Sequence, residues 1–200
     1  MNGRAPGKHP AIITVTSSSR KAGKSVLASY LVHELGAEFG LKVSSGSHAP
    51  TGSLTSDIGT IATPGTDTGK LVEAGARRVL WVHADPGHLR SQLERAMSMF
   101  PEKGLLVVEG NSASAYIEAD YAVFLMGVPF EAFKPSALPA LQRADLVLVC
   151  RSGALLDVEP SLLEKELAPI APRARIIFYD EDSRAEALSE TARLIRDRLK

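Results

Sequence analysis

The tripeptide Gly23-Lys24-Ser25 stands directly between a β-branched run and an amphipathic helical pattern, and that placement restricts the chain more than any other feature. Before it, Ala11-Ile12-Ile13-Thr14-Val15-Thr16 is bounded by Pro10 and a serine cluster and reads as a buried strand. After it, Leu27, Leu31 and Leu35 recur every four residues, with Val26 and Tyr30 beside them and Gly36 as a stop signal, which reads as a helix with one apolar face. A strand, a short loop and a helix opening on Gly-Lys-Ser is an arrangement that can cradle phosphate. The helix N-terminus supplies backbone N–H groups, the lysine reaches the β and γ phosphates, and the hydroxyl serves a magnesium ion. The expected binding residues are therefore Ser18, Ser19, Arg20, Lys21, Ala22, Gly23, Lys24 and Ser25. The full pattern G-x-x-x-x-G-K-[ST] has a glycine where this chain has Ser18, and serine fits there freely only while its φ stays negative. No G-x-G-x-x-G follows the first strand, which argues against a dinucleotide site.

Further apolar runs alternate with helical patterns to the end of the chain. Strands are expected at about 41–45, 78–82, 104–109, 121–126, 146–150 and 174–178, and helices at about 71–75, 88–99, 137–142, 162–167 and 184–199. Strands that are apolar throughout and alternate with helices indicate a mainly parallel sheet covered on both faces. The fold class is thus α/β, a P-loop NTPase-like three-layer sandwich with a mainly parallel central sheet. Residues 46 to 66 are rich in Ser, Gly, Thr and Pro and read as one long surface loop. The 200 residues suit one domain over 1–200.

Composition narrows the partners. With 23 basic and 23 acidic residues the formal charge is zero, so a general nucleic-acid binder is not expected. The lone Cys150 cannot form an internal disulfide, the N-terminus lacks an apolar leader, and no apolar run approaches the ~20 residues needed to span a bilayer. A soluble, cytoplasmic protein is the expectation.

A metal site beside the loop calls for an acid at the end of a neighbouring strand. Glu109 ends the run Leu105 to Val108 and precedes Gly110-Asn111-Ser112, so it ranks first. Asp85 ends another strand and ranks second, because Asp85-Pro86-Gly87 is equally a turn and helix start. Asp67 reads either as a site residue or as the N-cap of a helix beginning near Thr68. Gly65 to Lys70 is not a second phosphate loop, because its glycine spacing is short and Leu71 stands where a hydroxyl is required. The five histidines suggest no zinc site, although His48 in the long loop is worth watching, and Cys150 reads as a small buried residue.

In order, these segments resemble the P-loop protein of molybdopterin-guanine dinucleotide biosynthesis, the MobB type, over about residues 11 to 127. The likeness rests on the loop at 18–25, a strand entering a His-containing loop at Lys42 to His48, an acid at Asp57, Pro64-Gly65-Thr66-Asp67-Thr68, Glu73-Ala74-Gly75-Ala76 and Val108-Glu109-Gly110. It departs at Ser18 and at Ser45-Gly46-Ser47, which lacks the basic, histidine-rich character of the family. The resemblance implies a GTP-binding, usually dimeric accessory protein that helps a client enzyme of cofactor biosynthesis. It raises Asp67 beside Glu109, so that Lys24, Glu109 and Asp67 become the expected catalytic groups and Ser25, Glu109 and Asp67 the magnesium ligands. GTP or ATP with Mg²⁺ is the expected ligand, and slow hydrolysis the expected activity. A small-molecule kinase on the same fold and a non-catalytic nucleotide-binding module are the alternatives.

Overall fold

The computed structural model describes residues 9–20, 22–46, 52–127 and 133–200, apart from the side chain of Ala154. The strands are β1 (Ala11–Ser17), β2 (Phe39–Ser45), β3 (Ser53–Thr55), β4 (Arg78–Ala84), β5 (Leu105–Glu109), β6 (Tyr121–Met126), β7 (Leu146–Cys150) and β8 (Arg175–Tyr179). Among the described residues they form one sheet in the order β3-β4-β2-β5-β1-β6-β7-β8. All neighbours pair in parallel except β3, which runs antiparallel along the outer side of β4.

β1 lies inside the sheet because both of its faces are apolar enough to be covered. Ile13 and Val15 face one layer, built by α1 (Lys24–Leu35), α3 (Asp67–Glu73) and α7 (Arg184–Leu199) through Leu27, Leu31, Leu71 and Ile195. Ile12 faces the other, where α4 (Leu89–Ser98) packs Leu89 and Leu93 against Leu80, Val82 and Leu106. On that same side α5 (Ala137–Gln142) and α6 (Pro160–Leu167) cover Phe124, Met126 and Val147 through Leu141, Leu163 and Leu167. The result is a three-layer α/β sandwich, as the alternation of apolar strands and helices requires.

The sheet order places the site. β2 to β5 lie to one side of β1 and β6 to β8 to the other, so the order reverses at β1. Open α/β sheets bind ligands outside the carboxyl ends of their strands at such a reversal. β5 inserts between β1 and β2, with Val15 in register with Glu109 and Lys42 also in register with Glu109.

The expected long loop at 46 to 66 is more ordered than its composition suggests. Residues 47–51 lie outside the described part, but Ser53–Thr55 pairs with β4, and α2 (Ile58–Ile61) follows. Asp57 caps α2, accepting hydrogen bonds from Thr60 N at 2.9 Å and Thr60 Oγ1 at 2.9 Å. Short polar helices and edge strands carry too little apolar periodicity to be read from sequence. α3 likewise begins four residues earlier than its leucine and valine suggest, because its polar first turn starts at Asp67.

One glycine is indispensable to this framework. Gly110 follows Glu109 with φ of 140° and donates to Val15 O at 3.1 Å. A Cβ there would sit 2.2 Å from the carbonyl oxygen of Val43. Any larger residue must push β2 away from β5 while adopting a backbone conformation unsuited to L side chains. Gly110→Ala is expected to cost about 3 kcal/mol or more in urea denaturation; a loss below about 1 kcal/mol would mean that β2 and β5 are not held this close.

Candidate functional site

Among the described residues, no side chain caps the start of α1. Its N-cap is Gly23, at φ 94° and ψ 11°, with no side-chain cap and no acid in the first turn. The first-turn amides have no intrahelical acceptor, and the helix dipole adds positive potential there. The left-handed conformation at Gly23 is what the Gly-Lys-Ser signal requires, since a β-carbon would strain that turn.

Ser18, the departure from the glycine pattern, is fully buried and fits without turning away from the sheet. Its N–H donates to Leu125 O at 2.9 Å, and its hydroxyl accepts from Gly127 N at 3.3 Å. The serine therefore replaces a bare glycine with a side chain that ties the loop to the end of β6. On the other side Asn111 grips Ser17 twice, accepting from its N–H at 2.9 Å and donating to its carbonyl at 2.7 Å. The loop closes on Lys24, whose ammonium donates to Ser17 Oγ at 2.7 Å and Ser19 O at 3.4 Å. Arg20 is exposed beside it, Ala22 is half-buried, and Lys21 lies outside the described residues.

The carboxylates converge on Ser25. Its hydroxyl lies 2.6 Å from Asp67 Oδ1 and 2.9 Å from Glu109 Oε1, able to donate to either. Lys42 closes the group, its Nζ donating to Asp67 Oδ2 at 2.5 Å and Glu109 Oε1 at 2.7 Å. Glu109 is 1% exposed, and its Oε2 has no hydrogen-bond partner among the described residues. No group of three or more His, Cys, Asp or Glu among the described residues is arranged to hold a metal. A hydroxyl and two carboxylates do fit magnesium, which takes few protein oxygens and completes its shell with water and phosphate. The unpartnered Oε2 gives such an ion a carboxylate with capacity to spare.

Burial and charge tune these groups. Burial and then the Lys134 ammonium push Lys24 down to about 8, against weaker support from Glu109. Burial and the cations Arg20 and Lys42 also lower Lys134. Burial works against the charge on Lys42, but the two carboxylates outweigh it and raise its pKa. Burial would likewise raise Asp67, yet the hydrogen bonds from Lys42 and Ser25 hold it below the usual carboxylate range.

Other sequence candidates fall elsewhere. Asp85 follows β4, which β2 and β5 separate from β1, and it caps a turn by accepting from Gly87 N at 2.8 Å and His88 N at 3.0 Å. Asp67 is not the N-cap of α3; Thr66 is, accepting from Gly69 N at 3.0 Å, which frees Asp67 to face Ser25. Cys150 is half-buried rather than buried, and His48 lies outside the described residues. Sequence reasoning passed over Lys42, Asn111 and Lys134. Lys42 did leave a signal, because a lysine inside a central strand needs a buried partner.

The fold is that of the P-loop NTPases, an α/β class. Solved structures with this architecture include a HypB from Helicobacter pylori in complex with nickel, at 13% identity, a TM-score of 0.60, and 94% and 86% of the two chains covered. The hydrogenase maturation factor HypB from Archaeoglobus fulgidus matches at 14% identity and a TM-score of 0.58, over 96% of this chain and 91% of that one. A plasmid partition protein from Borrelia burgdorferi matches at 12% identity and a TM-score of 0.51, over 94% and 99%. No protein-family model and no curated protein sequence matches the chain.

Lys42→Met should expose how tightly this group is balanced. Removing one partner of a buried ion pair costs about 3 kcal/mol, and that loss is expected in metal-free denaturation. Adding Glu109→Gln to Lys42→Met should recover most of it, and additive losses in the double variant would contradict the pairing.

Proposed function

We propose that the chain binds a nucleoside triphosphate with magnesium on the loop at 18–25 and works as a nucleotide-dependent accessory protein with slow hydrolysis. The observation that carries this reading is the meeting of Ser25, Asp67 and Glu109 at the mouth of a loop already closed around Lys24. Backbone amides at the start of α1 take the phosphate oxygens, Lys24 leaves Ser17 and Ser19 for the β and γ phosphates, and Ser25 with the two carboxylates holds the metal. Magnesium, when bound, offsets charge on the β and γ phosphates. Lys134 adds positive potential beside the loop, consistent with an anionic ligand.

The MobB-type likeness supplies the finer reading. The nucleotide is then GTP or ATP, with GTP the one that likeness implies, the client is an enzyme of cofactor biosynthesis, and the working form is a homodimer. Asp67 and Glu109, which that likeness singled out, are the two acids beside Ser25. Maturation factors occur on this fold, so an accessory role lies within its range, although fold alone never fixes function.

Lys24→Ala is expected to abolish triphosphate binding in calorimetric titration while the protein still unfolds cooperatively. Retained affinity would remove the loop from the account. The lowered pKa of Lys24 also sets a pH dependence. Bound phosphate favours the ammonium, so above pH 8 the complex holds a proton that the free protein has lost. Affinity should therefore fall as pH rises through 8, with proton uptake on binding seen as a buffer-dependent heat. Release of protons over that range would reverse the assignment. Turnover should stay below the ~1–100 s⁻¹ of kinases, and a metabolite that brings it into that range while becoming phosphorylated would replace the accessory reading with a kinase.

A further inference from the structure

The lysine at the centre of the carboxylate group has no place in the phosphate loop itself. Lys42 comes from β2, in register with Glu109 on β5, so the sheet delivers its stem directly to the acid. Its side chain is only 15% exposed. Its ammonium and the Ser25 hydroxyl span the same two carboxylates, sharing Glu109 Oε1 and dividing the oxygens of Asp67 between them.

We propose that Lys42 is an internal counter-cation: its ammonium competes with the divalent metal for Asp67 and Glu109, so that the nucleotide-free protein resists a bare metal ion and admits one together with the triphosphate. This rests on the reading of Ser25, Asp67 and Glu109 as a magnesium site. The two carboxylates face Lys42, while Lys24 and Lys134 stand close enough to act on one another. A divalent ion added alone would place further positive charge against these ammonium groups in a partly buried site, where repulsion is weakly screened. A triphosphate changes that balance, because its oxygens give the displaced ammonium a new partner and complete the shell of the metal. The flexible four-carbon stem of lysine allows the exchange without moving the strand. Lys42 is thus a positioning residue: it bridges the two carboxylates and makes metal binding conditional on nucleotide.

The test uses manganese as a spectroscopic probe in place of magnesium, on nucleotide-free protein. Electron paramagnetic resonance titration should show Lys42→Met and Lys42→Gln binding Mn²⁺ at least tenfold more tightly than the unaltered protein, with Lys42→Arg remaining weak because it keeps the charge. Glu109→Gln added to Lys42→Met should remove the gain. Equal or weaker affinity in the two neutral variants, or a gain that survives Glu109→Gln, would overturn the proposal. Should the neutral variants fail to fold, the unaltered protein still decides the matter. Its thermal midpoint should not respond to millimolar Mg²⁺ alone, and a rise that Glu109→Gln abolishes would contradict the competition. These measurements contain no nucleotide, so a failure of the protein to bind MgGTP or MgATP in a separate titration would count against the nucleotide reading and not against the competition.

Discussion

The buried carboxylate of Glu109 is the contact on which the rest of the site depends. A charge that is 1% exposed is tolerated only when it is paired and hydrogen-bonded, and here a hydroxyl and an ammonium meet on one of its oxygens. Those partners come from α1 and β2, and Asp67 joins them from α3. One acid therefore ties three elements to the end of β5. Gly110 makes the same junction sterically feasible, since nothing larger fits under the Val43 carbonyl. Asn111 then links the following turn back to Ser17 at the base of the phosphate loop. Five consecutive positions, from Val107 to Asn111, thus supply a core strand, a buried charge, a close approach and a brace.

Much of this architecture was legible in the residues, for physical reasons that differ from element to element. Strands buried on both faces have to be apolar throughout, so β1, β5, β6 and β7 announce themselves. The first helix shows its leucine stripe and its glycine stop, and Gly23 has the left-handed conformation that the Gly-Lys-Ser signal demands. Glu109 could be picked out because a carboxylate ending an apolar strand before a glycine turn has few other reasons to be there. Choosing between Glu109 and Asp85 on firmer ground needed the strand order, which no local pattern contains. β5 lies beside β1 and β4 does not. Lys42 and Lys134 were missed because their roles arise from pairing across the sheet and from a loop returning to the site, contacts far apart in sequence.

Ser18 shows how a signature can change while its geometry persists. Glycine at that position leaves the backbone free, whereas serine commits a side chain to the end of β6 and gains a hydrogen bond from Gly127. The loop is thereby pinned on one side by Ser18 and on the other by Asn111, and it already encloses the ammonium of Lys24. The HypB and partition-protein structures share only 12 to 14% identity with the chain, so the likeness is one of fold and the chemistry must be argued from these side chains.

The central claim is that residues 18–25, Asp67 and Glu109 form one magnesium triphosphate site. A crystal structure of the protein grown with Mg²⁺ and a nonhydrolysable GTP or ATP analogue tests it most directly. Phosphate oxygens are expected on the amides at the start of α1, the metal on Ser25 with carboxylate oxygen beside it, and Lys24 withdrawn from Ser17. Nucleotide bound elsewhere on the molecule, with Lys24 still on Ser17 and Ser25 still on both carboxylates, would contradict it.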